Sequence, residues 1–85
     1  MTAREAQILQ TRITAAQGWV MWFILSQPSG MFAARAIIAD HSGGHQKGDE
    51  LVADTLEELR KMLPAGLTRW DRTMMMPADV VETWD

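Results

Sequence analysis

The sequence predicts an α+β domain: an antiparallel sheet of three to five strands, one central helix packed on one face, and an additional N-terminal helix, in the order αββ(β)αββ. Three observations predict it. Residues 18–40 read as a β-hairpin around a proline-glycine turn, and residues 54–63 carry leucines at helical spacing behind a capping signal. Residues 67–72 and 79–85 alternate as short strands do. At 85 residues the chain makes one domain with a thin core, because folding at this size buries only about 60–65% of the unfolded surface. Residues 1–17 are read as a helix or arm ahead of a single domain over 18–85.

In TAREAQILQTRITAAQ (2–17), Thr2 and Glu5 fit a capping box, in which each side chain satisfies the other residue's orphan amide. Ala6, Leu9, Ile13 and Ala16 recur on one face, and Gly18 stands where a left-handed cap is expected. Gln27-Pro28-Ser29-Gly30 then makes a tight turn. Proline presets φ at the first corner, and glycine accepts the left-handed position of a type I turn with a bulge. That turn sets Gln27 opposite Met31 and so pairs Ile24 with Ala34, Trp22 with Ala36 and Val20 with Ile38. On the other face Leu25 pairs with Ala33, Phe23 with Arg35, Met21 with Ile37 and Trp19 with Ala39.

HSGGHQKGDE (41–50) reads as a polar glycine-rich loop and LVAD (51–54) as a brief returning strand. In DTLEELRKML, Asp54 with Glu57 is the expected cap, and Leu56, Leu59 and Leu63 form the stripe with Met62 at its edge. Pro64 and Gly66 end the helix. LTRWDR and DVVETWD supply the last two strands, joined by TMMMPA, whose methionines are expected to tuck over the sheet edge.

The hairpin is apolar on both faces. Val20, Trp22, Ile24, Ala34, Ala36 and Ile38 carry no charge and are assigned to receive the leucine stripe. The opposite face sets Trp19, Met21, Phe23 and Leu25 around one charge, Arg35, whose stem is expected to lie on Phe23 with the guanidinium over a ring. Leaving those four large residues wet forfeits roughly 1.5–3 kcal/mol each, against a total stability of about 5–15 kcal/mol. A cover is therefore expected: the N-terminal helix folded back, a different protein, or a second copy of the chain. A homodimer is the preferred reading, with Trp19, Met21, Phe23, Leu25 and Arg35 as its interface, since two-fold symmetry is the commonest closed assembly.

Composition narrows the chemistry. With no cysteine there is no disulfide framework, thiolate metal site or cysteine nucleophile. A net charge of −3 weighs against a role on phosphate backbones, so nucleic acid is not an expected partner. The longest bulky apolar run, Trp19–Leu25, is far short of the ~20 residues of a membrane helix. No small-residue cleavage pattern follows an apolar region near the start, so a cytoplasmic location is expected.

The residues of metal-ligand type that lie closest together are His41, His45 and Asp49, with Asp40 and Glu50 beside them. Gly43 and Gly44 between the histidines deny them a shared helix face, so neither a metal site nor a cofactor is expected. Asp71, Asp79, Glu82 and Asp85 are read as surface charges, and Trp70 and Trp84 as core. No serine stands in a nucleophile elbow and no glycine loop matches a phosphate cradle, so an enzyme is not expected.

VADTLEELRKMLPAGLTRWDR (52–72) followed by PADVVETWD (77–85) resembles a group of small, mainly alphaproteobacterial proteins. Their pattern is A-D-T-L-x-x-L-R-x-x-L-P-x-G-L ahead of V-x-E-x-W. That group has no assigned activity, so the resemblance implies a structural framework and no functional residues. The succession of hairpin, loop and D-T-L-E-E-L helix is also similar in topology to antitoxin domains of the HicB type, which implies a regulatory alternative. The expectation from the residues themselves is a non-enzymatic module that self-associates or binds another protein. A small ligand- or metal-binding role through residues 40–50 is the remaining alternative.

Overall fold

The computed structural model describes residues 1–40 and 43–85. In chain order the elements are α1 (Ala3–Ala15), β1 (Trp19–Ser26), β2 (Phe32–Ala39), β3 (His45–Ala53), α2 (Leu56–Met62), β4 (Arg69–Asp71) and β5 (Val80–Trp84). The strands form one antiparallel sheet in the order β3-β2-β1-β5-β4, so the fold is the α+β class the sequence predicts.

The hairpin has the predicted register at every pair from Trp19↔Ala39 to Leu25↔Ala33. Gly30 N–H donates to the Gln27 carbonyl at 2.9 Å, Gln27 N–H donates to the Met31 carbonyl, and Gly30 takes a φ of 87°. At the start of α1, Thr2 accepts from Glu5 N–H while the Glu5 carboxylate accepts from Thr2 N–H, which is the capping box read from the sequence.

The end of α1 differs in one respect. Gln17, not Gly18, takes the left-handed position, with φ 64°. Gln17 N–H donates to the Thr14 carbonyl and Gly18 N–H to the Ile13 carbonyl, the paired bonds of a Schellman motif. Gly18 is required for a different reason: a Cβ there would stand 2.6 Å from the Ala39 carbonyl oxygen.

Residues 45–50, expected to be loop, belong to β3. Their polarity misled the pattern because β3 is an edge strand, where one side of the ladder and much of the side-chain surface meet water. Gly48 is explained by packing, since a Cβ would lie 3.0 Å from that of Ala36. The cap of α2 also moves by one residue: Thr55 accepts from Glu58 N–H at 3.1 Å, so Asp54 lies outside the helix.

Both helices pack on the same face of the sheet. Ala6 of α1 and Leu59 of α2 share a core with Val20, Trp22, Ile24, Ala34, Ala36 and Leu51, flanked by Leu9, Ile13, Leu56, Met62 and Leu63. Trp22 Nε1 donates to Gln10 Oε1 at 3.0 Å, and Ala65 N–H donates to Gln7 Oε1, so α1 is tied to the sheet and to the segment after α2. The N-terminal helix is therefore not the cover of the opposite face. Its narrow alanine-rich stripe fits beside α2 over Trp22, whose large ring fills the space that small residues leave. Among the described residues, no helix is long and apolar enough to cross a membrane.

Replacing Gly18 with alanine forces α1 and the Ala39 carbonyl apart. The expected loss is about 1–3 kcal/mol, the range for overpacking. It is measured as a lower urea midpoint with an unchanged slope.

Candidate functional site: the open face of the sheet

With α1 and α2 on one side, the other side of the sheet carries no helix. Strand alternation puts Met21, Phe23 and Leu25 of β1 there, beside Ala33, Arg35 and Ile37 of β2 and Lys47, Glu50 and Val52 of β3. Met21, Phe23, Arg35 and Ile37 are half-buried by one another, while Leu25 is only 8% exposed. A cleft of about 220 Å³ crosses this face. Phe23, Leu25 and Ile37 line it, with Lys47 on the β3 side and Met76, Pro77 and Asp79 on the β5 side.

The loop from 72 to 79 walls the β5 side. Arg72 Nη2 donates to the Met76 carbonyl at 3.1 Å and to the Pro77 carbonyl at 3.4 Å, folding the loop on itself. Met76 lines the cleft as the expected tuck requires, but Met74 and Met75 stand 96% and 93% exposed. Two adjacent methionines fully in water are an apolar surface without a neighbour.

Arg35 does not cap an aromatic ring as expected. Its Nε and Nη2 both donate to Glu50 Oε2, at 3.2 and 3.0 Å. The expected stacking gives way because β3 brings a carboxylate directly across from Arg35, and two charge-assisted hydrogen bonds to one carboxylate oxygen outweigh a cation–π contact at a half-exposed site. The expected interface is thus four residues in one place, Met21, Phe23, Leu25 and Arg35. Trp19, at the start of β1 and half exposed, borders a different, shallower depression with Gln10 and Thr14 of α1.

The edges of the sheet carry features that oppose an added strand. On β3, the Glu50 carbonyl accepts from the Met1 amino nitrogen at 2.8 Å, and Glu50 N–H donates to Asp49 Oδ1 at 2.8 Å. The Glu50 N–H, and after it the Met1 amino group, hold the Asp49 carboxyl below its ordinary value. The β2–β3 ladder is also bulged between Arg35 and Ile37. The other edge, β4, is three residues long. Blocked backbone groups, a bulge and a short strand are devices that prevent an added strand.

Glu82, read as a surface charge, is 4% exposed. It lies under α2, where Arg60 Nε donates to Oε2 at 3.1 Å, Arg60 Nη2 to Oε1 at 2.5 Å, and Trp84 Nε1 to Oε2 at 2.6 Å. Burial pushes the carboxyl up, but the hydrogen bonds from Arg60 and Trp84 and the Arg60 charge outweigh it and hold it below the ordinary range. A carboxylate so engaged ties α2 to β5. Its partner Arg60 lies in the last turn of α2, and nothing local in the sequence joins positions 60 and 82.

Trp84 is half-buried against the core as expected, while Trp70 is 56% exposed at the β4 edge, its Nε1 donating to Asp85 Oδ1. Of the metal-ligand candidates, His41 lies outside the described residues. His45 and Asp49 sit on the extended β3, about 13 Å apart along the strand at 3.3 Å per residue. Among the described residues no three His, Cys, Asp or Glu side chains converge on a metal position. Compared with family models, curated proteins and solved structures, the chain matches none.

Because Glu82 is held below its unfolded value, its contribution is present above pH 4.5 and is lost as pH falls through the folded value. At pH 7, Glu82→Gln should lower stability by about 1.5–3 kcal/mol, the worth of hydrogen bonds to a charged group. The gap between the two proteins should narrow below pH 4.5, followed by urea unfolding at a series of pH values.

Proposed function

We propose that this chain is a non-enzymatic module that associates with itself through the open face of its sheet. The observation that carries the reading is the pairing of an uncovered apolar face with obstructed edges. Phe23, Met21 and Ile37 form a continuous apolar strip only half-buried by their own neighbours. Stacking of two such faces is how β-sandwiches bury alternate residues, at a sheet spacing of about 10 Å. Edge pairing, the other route by which sheets associate, is opposed by Asp49, Met1 and the bulge.

Size sets the strength of the contact. The three strands that the 72–79 loop leaves open, about 4.8 Å apart and eight or nine residues long, give a face of roughly 400 Å². Two such faces bury roughly 800 Å², the size of a weak, transient contact. The association is accordingly concentration-dependent.

Sedimentation equilibrium over a wide range of protein concentration tests this. The mass should rise from one chain towards two, and Ile37→Lys should hold it at one chain with unchanged far-UV circular dichroism. Met21→Lys gives the same readout from a second position. A wild-type mass of one chain at the highest concentration, or association indifferent to both lysines, rejects the reading.

A further inference from the structure

We infer that the self-association proposed above, on which this inference rests, is a two-fold dimer in which the Lys47 end of each copy's cleft meets the Asp79 end of the other's. The cleft is charged at both ends, and between them Arg35, paired with Glu50, is the one charge among apolar lining residues. Lys47 stands on the edge strand β3, Asp79 stands beside β5, and β2 and β1 lie between with Ile37, Phe23 and Leu25. Neither Lys47 nor Asp79 forms an ion pair among the described residues.

Consider a two-fold axis in the plane of contact, crossing the cleft at its midpoint and perpendicular to its length. It turns the second copy end for end. Each cation then faces the partner's anion, so the contact is made twice, and a self-complementary patch is what an isologous interface requires. The middle of the cleft brings Phe23 and Ile37 of the two copies together. Arg35, which lines the cleft between its ends, is already neutralised by its own Glu50, so the centre gains no unpaired charge.

The same operation accounts for the exposed methionines. Met74 and Met75 extend from the loop that walls the Asp79 end. Turned end for end, they lie over the partner's Lys47 end, the side of the cleft that the chain's own loop leaves open. Flexible, polarizable methionine fills such an irregular gap without a preformed fit.

The test mixes two charge-reversal variants, Lys47→Asp and Asp79→Lys. Both positions are exposed, so each variant should keep the wild-type circular dichroism and melting temperature. Each alone should dimerise at least 10-fold more weakly than wild type at low salt, because it faces like charge with like charge. Mixed in equal amounts they should form a heterodimer near wild-type strength, seen by native mass spectrometry as a mass between the two homodimers. Met74→Ser with Met75→Ser should weaken the wild-type dimer several-fold. A dimer that Ile37→Lys abolishes but that shows no heterodimer preference in the mixture leaves the open face as the interface and overturns this arrangement. A wild-type chain that never exceeds one-chain mass removes both.

Discussion

The turn at Gln27–Gly30 is the constraint on which the rest of the structure depends. Its two backbone hydrogen bonds fix which residue of β1 meets which of β2, and in a strand a slip of one residue exchanges the two faces. With the register set, Val20, Trp22 and Ile24 point one way with Ala34 and Ala36. The small residues of β2 leave room for Trp22, and Trp22 gives α1 and α2 a surface broad enough to share. Met21, Phe23 and Leu25 of β1 and Ala33, Arg35 and Ile37 of β2 are then committed to the opposite side.

That hairpin was legible in the sequence because its information is local. Proline and glycine at fixed positions define the turn, and the pairings follow by counting. The capping box of α1 and the leucine stripe of α2 were legible for the same reason. What escaped was set by distant partners. β3 looks like a loop because an edge strand needs no apolar run. Glu82 looks like a surface acid because Arg60, 22 positions earlier, is its counter-ion. Arg35 was expected on an aromatic ring because the strand bringing Glu50 beside it went unrecognised. Each miss replaces a local pattern with a contact only the folded topology supplies.

The placement of both helices on one face follows from connectivity as much as from their stripes. The chain leaves β3 at one edge of the sheet and must reach β5 and β4 at the other, and α2 spans that route over the core. α1 enters β1, the central strand, through a Schellman motif that turns the chain sharply at Gln17 and presses Gly18 against Ala39. This close approach leaves α1 beside α2, where Gln7 accepts from Ala65 N–H and Gln10 accepts from Trp22. Crossing to the far face would break all of these contacts.

Packing within a single copy explains the apolar character of the far face only in part: Leu25 and Ala33 are buried there, while Met21, Phe23 and Ile37 stay half-exposed. Solvent-facing positions of an antiparallel sheet are ordinarily polar, because alternation costs nothing when one side meets water. Here the far side of β1 is Met21, Phe23 and Leu25, and β2 adds Ala33 and Ile37. The loop from 72 to 79 reaches only the Leu25 end, and its outermost methionines are spent on no contact within the chain. At the same time the sheet edge is capped at Glu50 by hydrogen bonds to Asp49 and to the amino group of Met1, whose side chain packs on the core. An obstructed edge beside a half-exposed apolar face favours stacking over strand addition, and the end-for-end dimer proposed above rests on that contrast.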